Sequence, residues 1–382
     1  MLSIVVPVHD SEQHLQSVLA AIVDSELRPI QRELIVVDDA SSDDSAEIAA
    51  GYADLVIRLT GQARGPAYAR NRGVEAARGE FIAFVDADVV VAADALRRMI
   101  DAIAEDPTIA AVMGACCSDP AASSPVSAYR NLLREFEHRS HPGESDTMSA
   151  GLLLVSREAL HRVGIFDEWR FLRPQVEALE LGDRLRAAGF RIYRDPQARA
   201  THLKVWTLRQ WIAVDLVDRG VAVARLNQPR DFRARAQRFY LGTPLDGVLA
   251  LAAIAAPVWI AAGRNDAVGI SVVTGGLFAI RNWELFAHFA RRRGLGFAGF
   301  AVLLQLVASA TQLLSSLTGR LLYHTVGEPQ PDPLVQAWAE VGVRMWPPVP
   351  AQRGKATLGL RALATAGDTA SDTLIDGAAT AE

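Results

Sequence analysis

The stretch Gly79–Leu96 reads GEFIAFVDADVVVAADAL, and it decides how the first part of the chain is interpreted. An apolar run from Phe81 to Val85 ends in two carboxylates one residue apart, Asp86 and Asp88. An unpaired carboxylate is costly to bury, so these acids are either solvated at a strand end or bound to a metal at the edge of a sheet. A lone Asp-x-Asp occurs often by chance, and the rest of the chain has to decide between the two interpretations.

Strand and helix patterns alternate through the first two hundred residues. Continuous apolar runs such as Leu2–Val8, Leu34–Val37 and Phe81–Val85 are separated by segments with helical spacing. This alternation predicts an α/β fold, in which a parallel sheet is covered by helices on both faces. In such sheets ligands bind beyond the carboxyl ends of the strands. The second and third of these runs both end in aspartates, so both acidic clusters are expected at one crevice.

Composition and missing motifs exclude several classes of protein. The chain has 382 residues, half of them apolar, and a formal net charge of −5, which gives no support for nucleic-acid binding. The sequence has no Gly-x-Gly-x-x-Gly after its first strand and no Gly-x4-Gly-Lys-Ser/Thr, so dinucleotide dehydrogenases and P-loop enzymes lose their main support. Cys116 and Cys117 are adjacent, which indicates a reducing compartment rather than a disulfide framework.

Binding of a metal–diphosphate fits the acidic strand ends. Mg²⁺ and Mn²⁺ prefer carboxylate oxygens and share their coordination with phosphates. Asp88 would hold the metal, and Asp86 would assist it or bind the ribose. Arg70, on the helix before this strand, could fork onto phosphate oxygens. Taken alone, Arg70 would more simply form a surface salt bridge.

Four blocks of the sequence carry a family resemblance. SIVVPVHDSEQHLQSVLAAI, ELIVVDDASSDDS, GPAYARNRGVEAARGEFIAFVDADV and AGLLLVSREALHRVGIFDE resemble successive blocks of the family 2 glycosyltransferases, over roughly Leu2 to Leu226. The resemblance implies a GT-A fold, a Rossmann-like and mostly parallel sheet that binds a nucleotide-sugar. It also implies sugar transfer from a nucleotide diphosphate sugar, usually with inversion, and a divalent cofactor, Mn²⁺ or Mg²⁺.

The resemblance also assigns roles to individual residues. By position, Asp39 would hydrogen-bond the base, and the backbone near Pro7 and Val8 would line the base pocket. Arg70 would approach the nucleotide or its phosphates. Asp86 and Asp88 would be the family's Asp-x-Asp, which binds the metal and the diphosphate. His202 lies where many members place a further metal or diphosphate ligand. Without the resemblance, a lone histidine is more often structural.

One block departs from the family pattern. PQVEALELGDRLRAAGFRI resembles the stretch whose Glu-Asp pair supplies the general base, but here the pair reads Glu177-Ala178. Alanine cannot accept a proton, and three explanations stay open. Glu177 serves as the base, Glu180 serves one helical turn along, or the protein binds the donor without turning it over. Glu180 also fits a simple i,i+4 pair with Arg184 on an exposed face.

The composition changes beyond Thr201. TLRQWIAVDLVDRGVAVARL is amphipathic, as in a helix along a membrane interface, and residues 227–244 form a basic amphipathic segment. Three uncharged stretches follow, Gly247–Gly263, Ala267–Ile280 and Gly294–Gly319. A membrane span needs about 20 apolar residues, so we expect two to three membrane helices within residues 245–320. The alternative is helices buried in a large soluble core.

The positions of the arginines predict how the chain is oriented in the membrane. They concentrate before the first apolar stretch and between the second and third, so the positive-inside rule predicts a cytoplasmic catalytic domain on a cell membrane. Residues 321–382 form a tail whose Ala/Thr/Asp-rich end is predicted to be disordered. We therefore expect a GT-A domain over residues 1–226 that moves a sugar onto a hydroxyl of a lipid-linked or membrane-near acceptor. The alternative is a membrane-bound nucleotide-sugar-binding protein with impaired catalysis.

Overall fold

A computed structural model of the chain describes residues 1–117, 124–169, 176–226, 243–263 and 267–327. Its strands are β1 (Leu2–Val8), β2 (Arg32–Asp39), β3 (Leu55–Leu59), β4 (Phe81–Val85), β5 (Val89–Val91), β6 (Ile109–Cys117), β7 (Gly143–Glu144), β8 (Leu152–Ser156) and β9 (Arg191–His202). The helices of the sheet-containing domain are α1 (Glu12–Val23), α2 (Ser45–Ala50), α3 (Pro66–Ala76), α4 (Ala95–Glu105), α5 (Pro125–Ser140), α6 (Arg157–Val163) and α7 (Glu177–Ala187).

A second set of helices follows the last strand. It comprises α8 (Leu208–Ala213), a π-helical segment (Val214–Val221), α9 (Ala222–Leu226), α10 (Pro244–Ala261), α11 (Ala267–Arg281) and α12 (Trp283–Val326). Inside α12 the backbone leaves the helical region at Gly294, where φ is 85° and ψ is 169°. The run is therefore two helices joined by a kink.

All nine described strands belong to one sheet, in the order β3-β2-β1-β4-β8-β6-β9-β5, and β7 also pairs with β9. Pairing is parallel between β1 and β2, β1 and β4, β2 and β3, and β6 and β9. Strand β8 is inserted antiparallel between β4 and β6. The sheet is thus largely parallel, which confirms the predicted α/β class.

The sheet is buried on both faces, as its continuous apolar strands require. Leu2, Ile4, Val6 and Val8 of β1 pack into a core shared with α1 and α4, while Val5 points to the opposite core, shared with α3, α6 and α7. Helix α3 lies very close to this second face, because a Cβ on Gly73 would come within 2.3 Å of a Val5 methyl group. These two layers bring the ends of β1, β2 and β4 together at one edge.

The C-terminal helices pack against the sheet-containing domain through α5. Tyr129 and Leu132 of α5 share an apolar cluster with Phe289 and Leu304 of α12. The Tyr129 hydroxyl also donates a hydrogen bond to the side-chain oxygen of Gln305. Helix α5 is therefore one of the elements that join the two parts of the chain.

The three apolar stretches of the sequence lie in α10, α11 and the part of α12 after Gly294. Among the described residues one helix, Trp283–Val326, is long and apolar enough to cross a membrane, and α10 and α11 are shorter apolar helices. These helices expose large apolar side chains such as Val272 (70%), Ile280 (69%) and Leu321 (63%). That exposure is unlike the buried soluble core considered as the alternative. The predictions for residues 227–242 and 328–382 lie outside the described residues.

The amphipathic segment of residues 207–226 is helical, but it does not present its one tryptophan, Trp211, to the outside. Trp211 in α8 is 2% exposed and packs against Tyr129, with ring centroids 5.3 Å apart. A Cβ on Gly319 would come within 2.4 Å of the Ala224 Cβ, so α9 and α12 are in close contact. This segment therefore packs against α5 and α12.

Candidate active site

A cavity of about 730 Å³ opens where β1, β2 and β4 end, a size typical of small-molecule pockets. All of the site residues predicted from the sequence except Glu180 line it, namely Pro7, Val8, Asp39, Arg70, Asp86, Asp88, Glu177 and His202. These residues come from β1, β2, α3, the turn after β4, α7 and β9. The fold therefore gathers side chains that are up to 195 residues apart in sequence (7 to 202) around one space.

Asp39 occupies one end of the cavity, at the end of β2. Its carboxylate accepts hydrogen bonds from the backbone N–H groups of Arg64 (2.9 Å) and Gly65 (2.6 Å), which hold it in place. Gly65 has φ 92°, a left-handed value that favours glycine, and it lets the chain turn into α3. Burial raises the pKa of Asp39, although these hydrogen bonds oppose the shift.

Backbone strain marks the same end of the cavity. Asp10 (φ 45°), two residues after β1, and Ala40 (φ 56°), directly after β2, adopt left-handed conformations although neither is glycine. The Asp10 carboxylate accepts a hydrogen bond from the backbone N–H of Ser42, 2.8 Å away, which ties the two loops together. Such conformations persist only where the surroundings enforce them, and they concentrate at binding and active sites.

Arg70 links two acids that line the cavity. Its guanidinium donates hydrogen bonds to Asp86 (2.7 Å) and to Glu177 (2.8 Å), and its side chain is only 3% exposed. Paired with two carboxylates, the buried charge is compensated. The alternative of a surface salt bridge does not describe Arg70, because the pair is buried. The arginine fixes the start of α7 relative to the turn after β4.

Asn71, next to Arg70 in α3, binds the segment GIFDE of residues 164–168. Asn71 donates to the backbone oxygen of Phe166 (3.0 Å) and accepts from the N–H of the same residue (3.1 Å). Its amide also donates to the Glu168 carboxylate at 2.5 Å. The segment GIFDE is therefore anchored to α3, and the Phe166 ring packs against the Arg70 guanidinium at 5.4 Å.

Asp86, Asp88 and His202 lie near one another on the cavity wall. The His202 ring nitrogen is 3.6 Å from the Asp88 carboxylate, because β9 pairs with β5 directly after the acidic turn. Burial raises the pKa of Asp86 and of Asp88, and the charge of Asp88 adds to the shift of Asp86. Burial also lowers the pKa of His202 to about 3, so the imidazole is neutral, the form that binds metals.

This donor set fits a divalent cation that is shared with a ligand. Two carboxylates and a neutral imidazole are suitable donors for Mn²⁺ or Mg²⁺, and a cation would relieve the repulsion between Asp86 and Asp88. Within the described residues, however, no group of three or more Asp, Glu, His or Cys side chains is arranged to hold a metal alone. A metal at Asp88 would therefore need oxygen atoms from a bound diphosphate to complete its coordination.

The two candidate bases have different surroundings. Glu177 and Ala178 both line the cavity, and Glu177 is held by Arg70. Glu180 does not line the cavity, is 1% exposed and accepts hydrogen bonds from Arg184 at 2.8–3.1 Å. The i,i+4 pair expected from the sequence is thus present but buried rather than exposed. Arg184 also donates to the backbone oxygens of residues 163 and 165, so this pair anchors α7.

Sequence reasoning missed the other half of the cavity wall. Basic residues there come from α5, β9, the loop after β9 and the π-helical segment, namely Arg130, Arg134, Arg194, Lys204 and Arg219. Arg130 is paired with Asp215 (3.1 Å) and stacks over Trp206 at 4.2 Å. The sequence spacing could have revealed two of them, because Arg130 and Arg134 are four residues apart and so share a helix face. We call these five basic residues the basic wall.

Part of the chain is similar to known glycosyltransferases. Residues 3–164 match the family model described as "Glycosyl transferase family 2". The chain is 30% identical over 221 residues to a pre-mycofactocin glycosyltransferase of Mycobacterium tuberculosis, covering 56% of this chain and 44% of that protein. It is 36% identical over 102 residues to a poly(ribitol-phosphate) beta-glucosyltransferase of Bacillus spizizenii, covering 25% of this chain and 16% of that protein. The match thus spans less than half the length of these relatives.

A solved structure shows the fold. A mannosyltransferase of Pyrobaculum calidifontis, in complex with GDP-Man and Mn²⁺, superposes with a TM-score of 0.50 at 18% identity, covering 82% of this chain and 86% of that chain. The fold is therefore GT-A, as the sequence resemblance implied. By the family model and these relatives, residues 3–164 are similar to the family 2 glycosyltransferases, and the solved structure shows the fold alone.

Proposed function

We propose that the chain transfers a sugar from a nucleoside diphosphate sugar to an acceptor near a membrane. The observation that carries the proposal is the common cavity formed by Asp39, Arg70, Asp86 and Asp88 at the carboxyl edge of the sheet. Both relatives are named as glycosyltransferases, which supports glycosyl transfer. The mannosyltransferase of Pyrobaculum calidifontis holds GDP-Man and Mn²⁺, which supports a nucleotide-sugar donor and a divalent cation. The base would lie at Asp39 and the diphosphate at Asp88.

Different residues of this chain would bind different parts of the donor. Asp39, fixed by two backbone N–H groups, is a hydrogen-bond acceptor for the base. Arg70 keeps Asp86 and Glu177 in position beneath the donor. Asp88, with Asp86 and His202, would hold Mn²⁺ or Mg²⁺. When bound, that cation would supply positive charge beside the diphosphate leaving group.

Glu177 is our proposed general base. Its carboxylate lines the cavity beside Ala178, whereas Glu180 is held by Arg184 away from it. Glu177 would take the proton of an acceptor hydroxyl while the hydroxyl oxygen attacks the anomeric carbon. The bond from that carbon to the diphosphate breaks, and the nucleoside diphosphate leaves with the bonding electrons. Attack from the face opposite the leaving group inverts the configuration.

We also propose that the C-terminal helices attach the chain to a membrane. Helices α10, α11 and α12 expose apolar side chains that water would solvate poorly. In the arginine cluster before the kink, Arg292 forms an ion pair with Glu135 of α5 and so lies beside the catalytic domain. Under the positive-inside rule this side is cytoplasmic.

One observation favours a second candidate function. Ala178 occupies the cavity wall where the family places its base, and Glu177 is already engaged by Arg70. A protein of this kind would bind a nucleotide-sugar tightly and release no nucleoside diphosphate. The two candidates differ in turnover and not in donor binding.

Turnover on a panel of nucleotide-sugars separates the two candidates. The purified full chain in detergent would be given Mn²⁺, each donor and a lipid extract as the source of acceptors, and the released nucleoside diphosphate would be measured. We expect release with at least one donor, lost in Asp88→Ala and reduced in Glu177→Gln. Donor-dependent thermal stabilisation without any release would favour the binding protein. If no donor produced either thermal stabilisation or release, both candidate functions would be contradicted.

A further inference from the structure

The cavity has two chemically different halves. Along the sheet, β2 and β1 carry Asp39, Pro7 and Val8, β4 leads to the acidic turn, and β6 and β9 lie beyond β8. The nucleoside end is therefore on the β1–β2 side. The basic wall is on the opposite side, on β9 and on α5, which packs next to β6.

Two cations of the basic wall form no close ion pair within the residues that the structure describes, although their charges act on the Asp88 carboxylate. Among the described residues, neither Arg134 nor Lys204 forms an ion pair or a side-chain hydrogen bond with the protein. Lys204 instead stacks over Trp206 at 4.6 Å. A third member of the wall, Arg194, has a buried Nε atom that has no hydrogen-bond partner among the described residues. Cations around a cavity that form no close ion pair favour an anionic ligand.

The basic wall also adjoins the apolar part of the protein. Helix α5 turns Arg130 and Arg134 towards the cavity, while Tyr129 and Leu132 of the same helix pack in the cluster with α12. Trp206 and Trp211 line the cavity and belong to that same cluster. A ligand bound at the wall would thus place a charged group on α5 and could extend an apolar chain towards the C-terminal helices.

We infer that the basic wall is the acceptor subsite and that it binds the phosphate of a lipid-linked acceptor. This inference rests on the proposed function and names the charged link of its acceptor. The phosphate would contact Arg134 and Lys204, the reacting hydroxyl would face Glu177, and the lipid would leave along α5. The donor diphosphate would remain at Asp88.

Binding of matched small lipids tests the inference on the full chain in detergent. Farnesyl phosphate and farnesol share one apolar chain, and glycerol 3-phosphate carries the phosphate alone. Dissociation constants would be read from tryptophan fluorescence, since Trp206 and Trp211 line the cavity. We expect farnesyl phosphate to bind at least about tenfold more tightly than the other two, since a charge-assisted contact and an apolar chain each add affinity.

Variants on one helix assign the effect to the wall. Arg134→Gln should weaken farnesyl phosphate roughly ten- to a hundredfold, and Arg134→Lys should restore part of the affinity. Arg139→Gln removes the same charge from the same helix but does not line the cavity, and it should have no effect. Unchanged binding of UDP or GDP with Mn²⁺ by Arg134→Gln would show that the donor half of the cavity is intact.

Three results would overturn the inference. Farnesol could bind as tightly as farnesyl phosphate, glycerol 3-phosphate could bind as tightly as the lipid, or Arg134→Gln could weaken nucleotide binding as much as lipid binding. The last result would assign the wall to the donor. Failure of every nucleotide to bind while farnesyl phosphate still binds would instead contradict the proposed glycosyl transfer and leave the anion subsite standing.

Discussion

The guanidinium of Arg70 donates a 2.8 Å hydrogen bond to the carboxylate of Glu177, the first residue of α7. Both side chains are almost fully buried, at 3% and 6% exposure. The contact places a carboxylate on the cavity wall immediately beside Ala178. Glu177 is therefore both a structural partner of Arg70 and the proposed proton acceptor.

Replacing Glu177 by glutamine tests its role as the base. The amide oxygen can still accept from Arg70, but it cannot take a proton, so turnover should fall by about 10²–10⁴ with little change in donor affinity. The double variant Glu177→Gln, Ala178→Asp returns a carboxylate to the same wall and should recover part of the rate. Initial rates of nucleoside diphosphate release measure both effects. Wild-type turnover in the single variant would remove Glu177 from the mechanism.

Glu180 should matter for stability rather than chemistry. Glu180→Gln leaves Arg184 buried without its charged partner, and breaking a buried pair costs about 3–5 kcal/mol. Urea denaturation of the purified protein measures this loss of unfolding free energy. Asp94→Asn removes the exposed i,i+4 partner of Arg98 and serves as the control, with an expected change within about 0.5 kcal/mol. An unaltered midpoint in Glu180→Gln would contradict the anchoring role.

The sequence reveals those parts of the site that sit at strand ends. Asp39, Asp86 and Asp88 follow apolar strands of a parallel sheet, and this sheet topology alone brings strand ends to one edge. Glu180 could not be assigned from sequence, because helical spacing does not tell which face is buried. The basic wall was missed for a related reason, since Arg134 and Arg194 line one cavity only because α5 packs against the sheet.

The C-terminal region shows a similar division. Apolar composition predicts the helices α10, α11 and α12, but it does not reveal that Tyr129 contacts Gln305 or that Gly294 divides α12. The amphipathic pattern near Trp211 is typical of both a membrane-surface helix and a helix packed on its neighbours. Long-range contacts decide between the two, and they bury Trp211.

The raised pKa of Asp39 predicts a pH dependence of stability. Because burial raises the pKa in the folded state, the unfolded chain loses this proton at lower pH than the folded protein does. Stability attributable to this group is therefore lost as the pH rises through the acidic range towards neutrality. The unfolding free energy of wild type and of Asp39→Asn would be measured from about pH 4 to pH 7. As the pH rises, the unfolding free energy of the wild type should fall relative to that of the variant. A difference independent of pH would contradict the shift.

Charges on the exposed apolar helices should weaken membrane attachment. Val272→Asp and Ile280→Asp replace side chains that are about 70% exposed, so the fold should tolerate them. A charge is costly in a bilayer, and both variants should shift from the membrane to the soluble fraction. Leu55→Asp, at an exposed position of β3 (42%), is the matched control and should leave the distribution unchanged. Equal membrane recovery of all three variants would contradict attachment through α11.

Calorimetric titration of UDP and of GDP, with and without Mn²⁺, tests the central claim most directly. If Asp39, Arg70, Asp86 and Asp88 form one metal–diphosphate site, at least one nucleotide should bind at least about tenfold more tightly with Mn²⁺. Asp88→Ala should abolish that gain while the protein stays folded. Nucleotide binding that is indifferent to Mn²⁺, or that is equal in wild type and Asp88→Ala, would contradict the account.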